Sequence, residues 1–396
     1  MSGRRNLTAF AEAFREPRWR RATRQSVTIA RAVHAGRARA KAAASRAVVD
    51  GGQLRDLLAE IAADVQLVEV PVNRAPWTAT PLRVESGDPV TWLCWGALAP
   101  LRPLGMALGP SLVLRVRVEG GSSRRSPRDT GTFTADADGR VEVGSAYPGE
   151  MDEHGVVTVD RVPYRLMRGA LDAILVRWQP GTNVREALAA IAEHDASGLC
   201  ATEAARLADP PGPPEGWDDH PLLPVCDVYS PTDGHLAARA RGSLVSIIRR
   251  PAEASLTPSL RLRWSWHLDR LPSRLPEDTP LTHDYLSVAL EFDDGRDLTW
   301  HWSAGLPPGF AYPCPLDHWR HRETHIVARS GTADLGRWID EERCVLADHR
   351  VAIGSPTPAR VVRAWLITVT AFQGLEARGE FGHIELADAE STTRVL

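Results

Sequence analysis

The sequence predicts a mainly β protein with two β-sandwich domains, an N-terminal helical arm and a short helical connector. Leu260–Leu268 places leucine or tryptophan at every second position and polar residues between them. This period of two is typical of a strand with one buried face. Segments of this kind recur along the chain between turn signals, as in a sandwich. A chain of 396 residues is long enough for two such domains.

The composition excludes some classes of protein. The net charge is -3, so the chain has no overall positive charge to attract nucleic acid, and we do not expect a nucleic-acid partner. No apolar run approaches the length of about 18 residues that a membrane-spanning helix needs. We therefore expect no transmembrane segment and a cytoplasmic location.

The cysteines are odd in number, widely spaced and without a CxxC pair. They are Cys94, Cys200, Cys226, Cys314 and Cys344. This pattern favours buried free thiols over a disulfide framework or a cysteine-based zinc site. The sequence does not indicate which cofactor, if any, the protein uses.

Residues 1–65 are predicted to form a basic, Ala/Arg-rich helical arm. The first 50 residues contain 12 Lys or Arg against 3 acidic residues. Such an arm suits binding to an acidic partner, and the alternative is a helix that lies on the protein's own acidic body. Its last part, Gln53–Val65, carries an apolar stripe and is the firmer helix. The earlier part offers mainly alanine and arginine, so we expect it to be dispensable for folding.

Residues 66–182 are predicted to form the first sandwich. Two strand-like pieces flank a Gly87-Asp88 turn, and Ser111–Val118 alternates as a strand does. The segments Val72–Thr91 and Phe133–Val143 resemble bacterial galactophilic-lectin-like sandwich domains of the galactose-binding type. The resemblance implies the sandwich fold over about 66–180. Those lectins hold calcium with an Asn/Asp cluster after the second segment, and the corresponding loop, Tyr147–Glu153, has no Asn.

Residues 183–217 are predicted to be the connector. Val184–Glu193 and Ala201–Leu207 have the composition of helices, and Asp209–Gly216 is rich in proline and glycine, as linkers are.

Residues 218–396 are predicted to form the second sandwich. From Cys226 to about Leu386 the sequence resembles a bacterial domain of unknown function, numbered three thousand and forty-seven. The matching segments are Leu262–Pro272, His283–Tyr285, Leu298–Trp302 and Arg329–Arg343. The resemblance implies a jelly-roll-like sandwich similar to carbohydrate-binding modules, with no established reaction.

The predicted ligand site lies on the polar sides of these strands. Alternation places tryptophans 264, 266, 300 and 302 in the core of one domain, so the histidines between them point the other way. The predicted ligand-binding residues are His267, Asp269, His283, Asp284 and His301. If their strands are neighbours, His267 and His301 share a groove and lie within about 10 Å, roughly two strand spacings. Four further tryptophans, at 77, 217, 319 and 338, lie near loops or element ends, where they could stack on a sugar ring or pack between domains.

A second hypothesis concerns a metal. His321, Glu323 and His325 alternate along a predicted strand, and two imidazoles with a carboxylate on one face suit zinc or non-haem iron. The alternative is an ordinary polar strand face.

These observations leave three functions open. The leading one is a non-enzymatic binding protein for a carbohydrate or similar polar small molecule. The second is an enzyme that uses the His-rich polar face of the C-terminal sandwich, with or without a metal. The third is an interaction or scaffold protein that is recruited through the basic arm.

Overall fold

The computed structural model describes residues 17–44, 49–73, 77–99, 108–146, 151, 155–156, 167–221, 223, 227–242, 244–389 and 391–396. Over these residues the fold is mainly β with antiparallel sheets and few helices, which confirms the predicted fold class. The chain divides into two compact units. The N-terminal unit comprises Val33–Gly212 and Pro221–Val225, and the C-terminal unit comprises Met1–Ala32, Pro213–His220 and Cys226–Leu396.

Six helices are present in the described part of the chain. They are α1 (Arg18–Ala44), α2 (Gly51–Ala59), α3 (Pro110–Val113), α4 (Val184–Ala192), α5 (Leu199–Ala208) and α6 (Val345–Ala352). Asp50 caps α2 by accepting a hydrogen bond from the backbone N–H of Gln53, and Asn183 caps α4 in the same way. None of the helices so described is long and apolar enough to cross a membrane.

The described residues of the N-terminal unit form seven strands in two antiparallel sheets. The strands are β1 (Asp64–Val70), β2 (Thr78–Val84), β3 (Pro89–Ala99), β4 (Leu114–Val118), β5 (Thr130–Thr134), β6 (Gly139–Ser145) and β7 (Arg168–Arg177). One sheet has the order β1-β7-β3-β5 and the other the order β2-β6-β4. The predicted turn between β2 and β3 contains Gly87 at a φ of 97°, a conformation that glycine adopts without steric cost.

Three helices contribute to the core of the N-terminal unit. Leu54 and Leu58 of α2, Leu188 of α4 and Cys200 of α5 are buried in one cluster with Trp178. The end of the predicted arm and the predicted connector helices therefore pack with the sheet strands of this unit. The strand predicted from Ser111 starts later, at Leu114, because Pro110 begins the short helix α3, where its fixed φ suits the first helical position.

In the C-terminal unit, the part that the structure describes has thirteen strands in two sheets. They are β8 (Asp218–Asp219), β9 (Tyr229–Thr232), β10 (His235–Arg241), β11 (Val245–Ser255), β12 (Arg261–Arg270), β13 (Leu286–Phe292), β14 (Asp297–Ser303), β15 (Ala311–Pro313), β16 (Glu323–Ser330), β17 (Trp338–Cys344), β18 (Arg360–Val369), β19 (Glu376–Ala387) and β20 (Thr392–Arg394). The six-stranded sheet has the order β17-β12-β19-β10-β9, with β20 paired to β19. The seven-stranded sheet has the order β15-β16-β14-β13-β18-β11-β8, and in it β14 and β16 run parallel.

The core of the C-terminal unit lies between these two sheets. Trp264 of β12 contacts Trp300 of β14, with ring centroids 6.4 Å apart, and Trp266 contacts Trp302 at 5.5 Å. All four side chains are buried in one apolar cluster. The prediction that these strands share a domain and direct their tryptophans into its core is therefore confirmed.

The first part of α1 belongs to the C-terminal unit. Arg24 donates a hydrogen bond from Nη1 to Oδ1 of Asp278 at 2.8 Å, and Gln25 donates from Nε2 to Oδ2 at 3.0 Å. The guanidinium groups of Arg21 and Arg24 also lie over the ring of Phe310. These contacts correspond to the alternative in which the arm lies on an acidic residue of its own chain, and recruitment of an external acidic partner stays a prediction.

Candidate functional site

The predicted ligand residues lie on opposite outer faces of the C-terminal sandwich. β12 pairs with β17 and β19, whereas β14 pairs with β13 and β16 in the other sheet. Since Trp266 and Trp302 meet in the core, His267 and His301 point away from each other with the core between them. The predicted groove shared by His267 and His301 is therefore wrong. Alternation fixed the direction of each side chain, but it does not say which strands are neighbours.

The outer face of the six-stranded sheet carries an exposed tryptophan among polar side chains. We call it the Trp338 face, and its residues are His235, Ser265, His267, Asp269, Trp338, Arg378, Glu380 and His383. The ring centroid of Trp338 lies 4.4 Å from that of His235 and 5.7 Å from that of His267. Trp338 is 43% exposed. Of the four tryptophans predicted near loops or element ends, it is the one that presents a large exposed surface.

A glycine allows the indole of Trp338 to lie against the sheet. A Cβ atom at Gly382 would come within 3.1 Å of Cζ3 of Trp338 and would collide with Oγ of Ser265. A side chain at this position would push the indole outward, so Gly382 lets the ring rest on the backbone of β19. The part of the ring that is next to Gly382 is therefore packed against β19.

The polar groups of the Trp338 face interact weakly with one another. Arg378 donates from Nε to Oδ2 of Asp269 at 3.0 Å, and Nδ1 of His267 lies 3.8 Å from Oδ1 of Asp269. Nδ1 of His235 lies 3.8 Å from Oε2 of Glu380. Such partly exposed pairs contribute only about 0–1 kcal/mol to stability. These groups are therefore available to hydrogen-bond a ligand at little cost.

Three other predicted residues, His283, Glu323 and His325, come together beneath the opposite outer face. We call His283, Cys314, Glu323 and His325 the buried histidine cluster; each is at most 6% exposed. His283 precedes β13, Cys314 follows β15, and the other two residues begin β16. His301 lies beside the cluster, with its ring centroid 5.7 Å from that of His325.

Two predicted residues do not join the cluster. His321 is exposed, because the backbone forms a turn in which Arg322 and Glu323 both donate to the carbonyl of Trp319, and the strand begins only at Glu323. The alternation predicted from His321 therefore starts two residues too early. The carboxylate of Asp284 accepts hydrogen bonds from the backbone N–H groups of Phe372 and Gln373 and so anchors that loop.

Sequence reasoning missed Cys314 as a neighbour of the histidines. Its Sγ lies 3.4 Å from Nε2 of His283, although the two residues are 31 positions apart. Burial raises the pKa of the Cys314 thiol and lowers that of His283 to about 3. Burial alone would also raise the pKa of Glu323, but the imidazole of His325, 3.4 Å away, together with His283 and Cys314, lowers it. The sequence feature that could have drawn attention to Cys314 is its position between two prolines, Pro313 and Pro315.

Cavities in the described part of the chain also lie away from these residues. One of about 350 Å³ in the C-terminal unit is lined by residues of α1 and two loops, among them Arg21, Gln25, Thr279 and Arg320. One of about 220 Å³ in the N-terminal unit is lined mainly by α2 and by residues 194–197. Neither is lined by a residue of the predicted ligand site.

Comparison with known proteins connects the C-terminal unit to a family. The model of the family described as "Protein of unknown function (DUF3047)" matches residues 226–385. The resemblance expected for the C-terminal half is therefore confirmed. None of the curated proteins compared with the chain matches it.

Several solved structures are similar to parts of the chain. The EclA N-terminal domain, a PllA-like lectin, is 14% identical with a TM-score of 0.23 and covers 30% of this chain and 98% of its own. The xyloglucanase domain of NopAA from Sinorhizobium fredii is 8% identical with a TM-score of 0.29, covering 44% and 94%. The CBM22-1-CBM22-2 tandem domain of Paenibacillus barcinonensis Xyn10C is 8% identical with a TM-score of 0.22, covering 83% and 92%. At these identities and TM-scores the solved structures say nothing about the ligand of this chain.

Proposed function

We propose that the protein is a non-enzymatic binding protein whose Trp338 face recognises a carbohydrate or a similar polar small molecule. The observation that carries the proposal is the exposed indole of Trp338, which rests on Gly382 and lies between His235 and His267. The face of an indole is apolar and suits the C–H side of a sugar ring. Imidazole, carboxylate and guanidinium groups around it suit the hydroxyl groups of the same ligand.

The position of the other histidines supports binding over catalysis. An acid or base must come within hydrogen-bond reach of its substrate. His283, His301 and His325 are each at most 1% exposed, so a sugar-sized molecule does not reach them in this conformation. The predicted histidines on the side of the seven-stranded sheet are thus covered, whereas the Trp338 face, which carries His267 and Asp269, is accessible.

Binding of oligosaccharides to the full-length protein tests this proposal. Array-immobilised glycans identify candidates, and titration calorimetry with soluble oligosaccharides gives the Kd. Trp338→Ala should weaken binding at least tenfold, equal to about 1.4 kcal/mol, because buried aromatic anchors commonly contribute 2 kcal/mol or more. Trp19→Ala is the matched control, since Trp19 is 65% exposed on α1 and should leave the Kd unchanged.

Two results would overturn the proposal. One is the absence of binding to any glycan of a broad panel by the folded wild-type protein. The other is a Trp338→Ala variant that binds as tightly as the wild type, which would place the ligand elsewhere.

A further inference from the structure

We propose that the buried histidine cluster is a structural metal site, in which His283, Cys314, Glu323 and His325 bind one zinc-class transition metal ion. Their ligand atoms all lie within 4.8 Å of one another. The site lies beneath the face opposite to Trp338, so it is independent of the proposed sugar binding.

The distances within the cluster match tetrahedral coordination. Bonds of about 2.0–2.3 Å to nitrogen, oxygen and sulfur place two ligands of one zinc ion about 3.3–3.7 Å apart. Nε2 of His283 and Sγ of Cys314 are 3.4 Å apart, and Nε2 of His325 and Oε1 of Glu323 are also 3.4 Å apart. The widest separation needs to close by only about 1 Å for a single ion to reach all four atoms.

A second layer of hydrogen bonds already orients these ligands. Nδ1 of His283 lies 2.9 Å from the carbonyl oxygen of Glu277, and since a carbonyl only accepts, Nδ1 carries the proton. The lone pair is therefore on Nε2, which faces Cys314. The hydroxyl of Tyr285 donates to Oε1 of Glu323 at 2.9 Å. Metal-binding histidines and carboxylates are held by such outer partners in most metal sites.

Glu277, whose carbonyl oxygen binds Nδ1 of His283, is itself held in place by hydrogen bonds. The carboxylate of Glu277 accepts from Oγ of Ser303 at 2.5 Å and from the backbone N–H of Ala304 at 2.7 Å. The backbone segment that orients His283 is thus tied to the end of β14.

His325 provides an independent observation. Its side chain is fully buried, and neither ring nitrogen makes a hydrogen bond within the described residues, although Nε2 lies 3.4 Å from Oε1 of Glu323. Buried polar atoms are nearly always satisfied, and an exception requires a reason. The ring of Tyr312 stacks on the imidazole, with centroids 5.0 Å apart and an interplanar angle of 16°, and so fixes its plane. A metal ion bound at Nε2 supplies the missing partner.

The ligand set indicates both the metal and its role. A thiolate with two imidazoles favours zinc over magnesium or calcium, and the carboxylate completes four ligands. All four come from the protein and are buried, which is characteristic of closed structural sites rather than catalytic ones. The ion would join the loop before β13, the loop after β15 and the start of β16.

Metal content and cobalt substitution test the site in the full-length protein. Protein purified without added metal should contain about one zinc ion per chain by mass spectrometry. After removal of the metal with a chelator, Co²⁺ should bind with a thiolate-to-cobalt charge-transfer band, and Zn²⁺ should abolish the band. Cys314→Ser should remove the band, and His325→Gln should weaken Co²⁺ binding at least a hundredfold.

Two matched controls separate this site from the neighbouring residues. Cys344→Ser removes a partly exposed thiol of the same unit, and His321→Ala removes the exposed histidine next to the cluster. Both variants should keep the metal and the band. A folded wild-type protein that lacks metal and gives no thiolate band with Co²⁺ would overturn the proposal, as would loss of the band in Cys344→Ser. If Cys314→Ser does not fold, the cobalt spectrum of the wild type decides the question.

Discussion

Trp264 shows how strongly a single core residue holds the C-terminal sandwich. Its side chain is fully buried and meets Trp266 edge to face, with centroids 5.4 Å apart, as well as Trp300 in the facing sheet. Trp264→Ala should lower the free energy of unfolding by about 3–5 kcal/mol, through lost burial and the cavity that remains. Chemical denaturation followed by circular dichroism measures this. Trp338→Ala, in the same sheet but on its outer face, should cost about 1 kcal/mol or less, and similar losses for the two variants would contradict the packing described here.

Alternation predicted single residues well and their partners poorly. The inward direction of Trp264 and the outward direction of His267 both follow from the period of two, which is a local property of a strand. The neighbours of these residues depend on strand order. His267 has Trp338 beside it, 71 residues later, because β17 pairs with β12. Cys314 lies next to His283 because of the way the loops and strands of this unit are arranged in space. The spacing of these residues in the sequence does not predict that arrangement.

The arm is the element whose role the structure changes most. The sequence predicts that residues 1–50 are dispensable for folding, since they offer alanine and arginine rather than large apolar side chains. In the structure Arg24 and Gln25 both bind Asp278, whose side chain is fully buried while that of Arg24 is 27% exposed. The negative charge of a buried carboxylate needs these partners, because an unpaired buried charge is costly.

Loss of this contact should therefore destabilise the C-terminal unit. Arg24→Ala should lower the free energy of unfolding by about 1–3 kcal/mol, between the values for exposed and fully buried pairs. Arg20→Ala, on the exposed side of the same helix, should change it by less than about 0.5 kcal/mol. Thermal melts of both variants at low and high salt give the comparison. An Arg24→Ala variant as stable as the wild type would contradict this prediction and would favour a dispensable arm.

At the scale of the whole molecule, the fold class was predictable and the sheet order was not. Strands with one buried face must pack against a second sheet, so the alternating segments required a sandwich. The residue pattern within each strand does not predict that β14 pairs in parallel with β16. Nor does it predict that β12 and β14 belong to different sheets. The predicted site combined residues from the outer sides of both sheets, because the strands of the two sheets show the same alternation of polar and apolar residues. The candidate metal ligands were predicted only in part, since His283 was expected in another site and Cys314 in none.

Removal of metal should affect one unit and spare the other. The proposed ligands join three segments of the C-terminal unit, within residues 283–325, whereas the N-terminal unit has its own core around Trp178. A ligand that binds only the folded state stabilises it by about 4 kcal/mol at a thousand times its Kd. Hydrogen exchange read by mass spectrometry should show at least tenfold faster exchange in peptides of β13–β16 after chelation, because local opening there no longer requires release of the ion.

Peptides of β1–β7 serve as the internal control and should change by less than about twofold. Recovery on addition of Zn²⁺ would show that the chelator acts through the metal. Unchanged exchange in β13–β16, or equal acceleration in both units, would be incompatible with a structural ion held by these four residues.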